Sequence, residues 1–373
     1  MSYMSASLVP RQGIDLDGPA IPAPEGYTSM LDNPPNSNYI AIPIITLCVV
    51  LAAISFVTRF YAKFLGKKLN VADYLTFAAF PVFWVYVYYT YRLSWTGGYL
   101  VHLWDMRLGN TPAFSYITFI GTLLYLWIVA LIKCAILLEW VDIFVPKGER
   151  GYFSWACYAT CFAFCALSII IFILDLVNCT PYEGNWNSLI PGVVCRFGIP
   201  QFGLASSTTN FTLDLIPLCL SQKVIWSLHL SWKKKIGVSF IFLFGLAGCA
   251  ASLIRLYYST RFYVSNDISY YFSILAITSL AETTAAILVL CVPFMPKALL
   301  GLSQTKPVKA LRSYKSLKSE STYVNSSDSH YNSQELGRVK KNKEHWFMSS
   351  RLADNATARS YESERPLQNT DIA

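Results

Sequence analysis

The sequence predicts an all-α membrane protein, a bundle of seven transmembrane helices. Of its 373 residues, 54% are hydrophobic and 14% are charged, and the mean hydropathy is +0.39. Soluble globular proteins carry roughly 25% charged residues. The apolar residues also fall in runs of about 20, the length that a helix needs to cross a bilayer. The distribution of basic residues between loops is the third observation.

Seven apolar runs follow one another and define a predicted membrane domain over residues 39–296. They cover about 40–57, 74–91, 114–138, 153–177, 202–220, 236–258 and 269–291. Residues 1–38 contain six prolines and are predicted to form a flexible extracellular tail. Residues 297–373 are rich in serine, lysine and asparagine, which predicts a disordered, basic cytosolic tail.

Basic residues alternate between the loops and set the orientation. The 1–2, 3–4 and 5–6 loops carry four, two and four Lys or Arg, against two, one and one in the intervening loops. Because short cytoplasmic loops are enriched in basic residues, the amino terminus is predicted outside and the carboxyl terminus in the cytosol. The net charge of +8 does not predict nucleic-acid binding, because the basic residues flank membrane helices. The basic tail is instead typical of a membrane flank, an anionic-lipid contact or a docking site for a cytosolic signalling partner.

Three charged residues lie inside apolar helices at similar predicted depth: Lys133, Asp214 and Glu282. Such residues are costly in a bilayer and should face one another inside the bundle. Asn210 lies one helical turn from Asp214 and should join them. We therefore predict an intramembrane polar network, which serves either as a switch or proton relay, or as ion pairs that fix helix packing. Asp175 and Arg255 lie near predicted outer helix ends, where their side chains should reach water.

The predicted outer loops contain further candidates. His102, Trp104 and Trp186 are expected to line the mouth of a ligand site, although a lone loop histidine is also typical of a solvated side chain. Cys179 and Cys195 lie outside the helices on the oxidising side, which predicts a disulfide, with a free pair as the alternative. Asn178 begins a glycosylation sequon, but its closeness to the membrane and to Cys179 argues against occupancy. The sequence shows no Cys/His spacing that indicates a metal site.

The chain resembles the fungal rhodopsin-domain family of integral membrane proteins over about residues 40–300. The motif residues, in order, are Asp73, Gly98, His102, Trp104, Tyr125, Lys133, Ile143, Phe144, Cys179, Pro181, Trp186, Cys195, Asp214, Pro217, Gly245, Arg255, Glu282 and Pro293. Two positions depart from the family pattern: Ala72 replaces an acid, and Leu100 replaces a glycine. The resemblance implies a receptor-like bundle, and a tie to secondary-metabolite pathways, because some members are encoded in such gene clusters.

Three functions remain open from the sequence. The first is a receptor-like protein, most naturally in the plasma membrane, that senses an extracellular or membrane-borne small molecule. The second is a small transporter that uses the intramembrane charges, although no inverted repeat is evident. The third is a membrane-embedded cyclase with Asp214 or Glu282 as its acid. No cofactor is expected, because helix 7 lacks the lysine that a retinal Schiff base needs.

Overall fold

The computed structural model describes residues 15–66, 69–145, 151–227, 232–265, 267–295 and 298. Seven long α-helices lie within these ranges, as predicted. They are α1 (Asn38–Gly66), α2 (Val71–Thr96), α3 (Thr111–Phe144), α4 (Tyr152–Leu176), α5 (Ile199–Ser227), α6 (Trp232–Val264) and α7 (Ile268–Cys291). The predicted tail over 297–373 lies, except for Ala298, outside the described residues.

Six of the seven helices are long and apolar enough to cross a membrane by length and composition. The remaining one, α5, has the same length as α1 but contains a run of hydroxyl and amide side chains from Ser206 to Asn210. Those side chains lower its hydropathy, and several of them face the bundle interior. The prediction of a helical membrane bundle is confirmed, and the chain is a multi-pass membrane protein.

The helices α3 and α7 form the centre of the bundle. The first packs against α2, α4 and α7, and the second also packs against α1 and α6. Fully buried apolar side chains of α3 (Ile128, Ile132) and α7 (Leu280, Ile287) fill the space between them. Because both helices are buried on several sides, polar groups on them must find partners within the protein.

The first helix is longer than predicted, and this changes the position of two basic residues. Arg59 and Lys63 were expected in a loop after residue 57, but α1 continues to Gly66 and buries both side chains. Their charges are neutralised by carboxylates of neighbouring helices, which is why the helix can continue beyond its apolar run. Two of the four basic residues that were counted in this loop are therefore packed inside the protein.

The loop between α4 and α5 contains a two-stranded antiparallel ribbon, β1 (Cys179–Thr180) and β2 (Val194–Cys195). A disulfide joins Cys179 to Cys195, which confirms the predicted pairing. We call the end of the bundle that carries this disulfide the outer end, following the predicted orientation, and the opposite end the inner end.

The segment 15–37 lies on the loop between α2 and α3, where a flexible tail was expected. The backbone N–H of Leu108 donates to the Gly18 carbonyl at 2.9 Å, and Pro19 forms a β-bridge with Arg107. The Arg107 guanidinium also lies 2.5 Å from an oxygen of Asp32. The expectation of a flexible tail is therefore corrected for residues 15–37. These backbone hydrogen bonds and this ion pair hold the proline-rich segment against the loop.

Candidate functional site

A cavity of about 180 Å³ opens in the outer half of the bundle, between α2, α3, α5, α6 and α7. An apolar cavity of roughly 150 Å³ binds benzene, so this cavity has room for a small organic molecule. By area its walls are mostly apolar, and about half of the lining residues carry a polar side-chain group. The aromatic side chains include Phe114, Phe119, Phe202, Phe262 and Phe272. The polar groups include Tyr125, Asp175, Arg255 and Ser279.

The predicted polar network lies directly below this cavity. Lys133 Nζ is 2.8 Å from Glu282 Oε1, donates to Asn210 Oδ1 at 3.0 Å, and also pairs with Asp214. All three charged side chains are buried. The structure therefore brings together the four predicted residues, from α3, α5 and α7, and no lysine or carboxylate among them faces lipid alone.

Glu282 is the most connected member of the network. Its carboxylate accepts hydrogen bonds from the Tyr125 hydroxyl at 2.8 Å and from Asn210 Nδ2 at 2.7 Å, in addition to Lys133. Buried ion pairs are stable only when the remaining lone pairs also find donors, and here several do. Glu282 thus ties α3, α5 and α7 together at one point.

Arg255 also belongs to this network, which corrects the expectation that it reaches water. It is 6% exposed, its Nε lies 3.5 Å from Glu282 Oε2, and its guanidinium carbon is 4.7 Å from the centre of the Tyr125 ring. The reason is that α6 continues to Val264, so Arg255 lies nine residues, or about 14 Å, from the helix end. Asp175, by contrast, is one residue from the end of α4, as predicted.

A second cavity of about 80 Å³ lies on the inner side of the network, and Lys133, Asp214 and Glu282 line it. The small residues Gly245 and Gly248 of α6 form part of its wall. The charged network therefore separates two cavities along the axis of the bundle. No group of side chains that could hold a metal ion occurs among the residues that the structure describes.

None of the three predicted mouth residues, His102, Trp104 and Trp186, lines the outer cavity. The His102 ring stacks between Trp104 and Tyr270, with ring centres 4.2 and 4.5 Å away. His102 Nδ1 lies 2.5 Å from a carboxylate oxygen of Asp267, at the start of α7. These contacts attach the α2–α3 loop to α7. Trp186 packs edge-on against Tyr116 and borders the cavity only through other side chains.

Asn178 is expected to carry no glycan. Its side chain is buried, its Nδ2 donates to the Phe197 carbonyl at 3.1 Å, and its Oδ1 accepts from the Phe197 N–H at 3.0 Å. A glycan on this nitrogen would replace one of its N–H groups and would have to be attached at a buried side chain. Treatment of the purified protein with an N-glycosidase should leave its gel mobility unchanged, and Asn178→Gln should comigrate with the wild type. A mobility shift abolished by that substitution would contradict this prediction.

A second group of buried charges, which the sequence reasoning missed, lies at the inner end. Arg59 Nη2 is 2.7 Å from both Asp73 Oδ1 and Glu139 Oε2, and Arg59 Nη1 donates to the Leu290 carbonyl at 2.9 Å. Lys63 Nζ is 2.8 Å from Asp73 Oδ2. We call these four side chains, Arg59, Lys63, Asp73 and Glu139, the inner cluster. The available signal was that two acids, Asp73 and Glu139, lie beside the apolar runs of α2 and α3 at the end where Arg59 and Lys63 follow the run of α1.

Comparison with known proteins supports a single family. The chain is 36% identical over 289 residues (77% of this chain and 72% of the relative) to "Fugralins biosynthesis cluster protein 2" of Gibberella zeae. It is 29% identical to a "SAT4 family membrane protein" of Emericella nidulans, over 47% of this chain and 43% of that protein. It is 23% identical to "Polyenoic acids biosynthesis gene cluster protein Ba17b" of Metarhizium anisopliae, over 58% and 59% of the two chains.

No solved structure gives a significant match to the chain. The family model for the fungal rhodopsin domain matches residues 58–300, which contain most of the bundle, the charged network and the disulfide. Since that match covers more than half of the chain, the protein belongs to the fungal rhodopsin-domain family of membrane proteins.

Proposed function

We propose that the protein is a receptor-like membrane protein that senses an extracellular or membrane-borne small molecule. The observation that carries the proposal is the outer cavity with the charged network as its floor. Small-molecule sites are concave, mostly apolar, and carry a few converging polar groups. A molecule in this cavity would touch Arg255 and Tyr125, both of which contact Glu282.

The network offers a physical route by which ligand binding in the outer cavity can change the contacts between the helices. Glu282 on α7 has two cationic neighbours, Lys133 on α3 and Arg255 on α6. A ligand that draws Arg255 away from Glu282 would change which helices the buried charges hold together. The inner cavity beside Gly245 and Gly248 leaves space in which α6 can shift. Small shifts of packed helices are a common form of switching in membrane and soluble proteins.

The biological setting is proposed from the relatives. Two of them are named for biosynthesis clusters, one for fugralins and one for polyenoic acids. We therefore place this protein in the plasma membrane of a producing cell, where it responds to a product or precursor of a secondary-metabolite pathway. The basic tail over 297–373 is the proposed contact for a cytosolic signalling partner.

Transport is the second candidate, and the two cavities on opposite sides of the network favour it. Alternating access to a central charged site would need the same arrangement. A cyclase is less well supported, because both candidate acids, Asp214 and Glu282, are held in ion pairs with Lys133. Retinal is not part of this proposal, because Ile268–Cys291 contains no lysine that could form its Schiff base.

The receptor proposal predicts a cellular response without uptake. A strain that lacks the gene should fail to change its transcript profile when culture extract from the producing strain is added, and the full-length gene should restore the change. Vesicles that contain the purified protein should not accumulate the extract's small molecules. Protein-dependent accumulation in vesicles, together with an unchanged transcript response in the deletion strain, would favour transport and overturn the receptor proposal.

A further inference from the structure

We propose that the outer cavity binds an apolar monocarboxylate, whose carboxylate is held by Arg255 at the cavity floor. This inference deepens the proposed function, because it names the ligand class of the same site. It rests on the hydrogen-bonding state of Arg255, on the aromatic walls, and on the position of Asp175.

Arg255 has donors that are not used within the described residues. Its Nε and Nη2 atoms make no hydrogen bond there and have almost no surface open to the cavity, although the side chain lines it. The guanidinium group must therefore turn from Glu282 towards the cavity before these two atoms can hold a ligand. The Nε contact with Glu282 is an ion pair at 3.5 Å. An unpaired buried donor to a charged group is costly, which makes these two atoms unusual in a folded protein.

The two unused donors lie on the same edge of the guanidinium group. That edge presents two parallel N–H bonds, which fit the two oxygens of a carboxylate and form a bidentate pair. A neutral alcohol or a single carbonyl oxygen can satisfy only one of them well. The geometry therefore favours a carboxylate over a neutral polar group of the same size.

The largest side chains on the remaining wall are aromatic and favour a ligand with an apolar body, although hydroxyl and amide side chains lie between them. Above Arg255, the ring side chains of Phe262 and Phe272 line the cavity, and on the opposite side Phe114 and Phe119 do so. Burial of a hydrocarbon against such side chains should raise the affinity roughly fourfold for each CH₂ group. The cavity should therefore discriminate by chain length until its space is filled.

Asp175 determines that the ligand has one carboxylate. It lines the cavity from the last turn of α4, whereas Arg255 is about 14 Å below the outer end of α6. The ligand's far end would lie towards Asp175, where a second carboxylate would have to share the site with another acid, which is unfavourable for two charged groups. A hydroxyl at that end would be accepted, because it can donate to the aspartate.

The test uses full-length protein in lipid nanodiscs and radiolabelled decanoate, with empty nanodiscs as the blank. Wild-type protein should retain decanoate, and unlabelled decanoate should compete better than decanol, decylammonium or decanedioate. Arg255→Lys keeps the charge but loses the paired edge, so its affinity should fall roughly tenfold to a hundredfold. Asp175→Asn should raise the affinity for decanedioate. Equal competition by decanol and decanoate would overturn the proposal.

Gly121→Phe provides a test that leaves the network intact. Gly121 lines the cavity, and a Cβ built on it has no neighbour within 4 Å, so a larger side chain should grow into the open space. This variant should lose decanoate binding while it elutes as the wild type does in gel filtration. Unchanged binding by a well-assembled Gly121→Phe protein would mean that the fatty acid enters the bilayer and not the cavity.

The same experiments separate this inference from the proposed function. If no carboxylate binds but cells still respond to culture extract through the protein, the ligand class is wrong and the receptor function stands. If decanoate binds through Arg255 but neither extract nor decanoate changes any transcript, the site stands and the receptor function fails.

Discussion

Replacing Arg59 with methionine is expected to be the most destabilising single substitution in the inner half of the bundle. Arg59 is 1% exposed and contacts Asp73, Glu139 and the Leu290 carbonyl, which belong to α2, α3 and α7. Its loss would leave two buried carboxylates with Lys63 as their remaining cation. Breaking a buried ion pair costs about 3–5 kcal/mol, because the uncompensated charge stays in a medium of low polarity. We expect thermal unfolding in detergent at a temperature lower by roughly 10 °C.

The matched control is Arg92→Met, which removes the same group from an exposed position on α2 that bonds only to the Tyr88 hydroxyl among described residues. Its unfolding temperature should stay within a degree or two of the wild type. The double variant Arg59→Met/Glu139→Gln restores neutrality, since Lys63 and Asp73 remain as a pair. It should recover much of the lost stability. Equal effects of Arg59→Met and Arg92→Met would show that the inner cluster does not stabilise the fold.

The inner cluster also illustrates why part of the site could not be predicted. The bundle, the disulfide and the Lys133–Asp214–Glu282 network were predicted because their signals lie in the sequence itself. These signals are seven apolar runs, two cysteines outside them and three charged residues well within them. Arg59 and Lys63 follow directly after an apolar run and have the composition of a cytoplasmic loop. Only the length of α1 and the approach of α2 and α3 reveal that they are buried.

The burial of Arg255 in the outer half of the bundle was equally hard to predict from the sequence. Its position relative to water depends on where α6 ends, and helix ends are the least certain part of a prediction from sequence. A difference of six residues, between Tyr258 and Val264, moves the end by about 9 Å, enough to turn an interfacial arginine into an interior one. The segment 15–37 was mispredicted because its partners, Asp105 and Arg107, lie on a distant loop.

Glu282→Gln is expected to abolish the cellular response while most of the protein still reaches the membrane. The amide keeps the shape of the side chain but removes one of two negative charges, so Lys133 and Arg255 then share Asp214 alone. The substitution leaves one buried cation uncompensated and so lowers stability. Asp214, Asn210 and the new amide oxygen remain as partners for the cations, so most of the protein should still fold. We therefore expect a surface level above about half of the wild type and a response at least tenfold weaker, measured by surface labelling and by transcript change with the same culture extract.

The double variant Lys133→Met/Glu282→Gln distinguishes a switch from a packing role, because it leaves Arg255 and Asp214 as a balanced pair of charges. If the network only fixes the helices, removal of one cation with one anion should restore both stability and response, as in other proteins where buried ion pairs were replaced without loss. If the network couples ligand binding at α6 to α3 and α7, stability should recover and the response should not. The reason is that position 282 then carries no charge that could move between Lys133 and Arg255. A double variant that responds as the wild type does would therefore assign the network to packing alone.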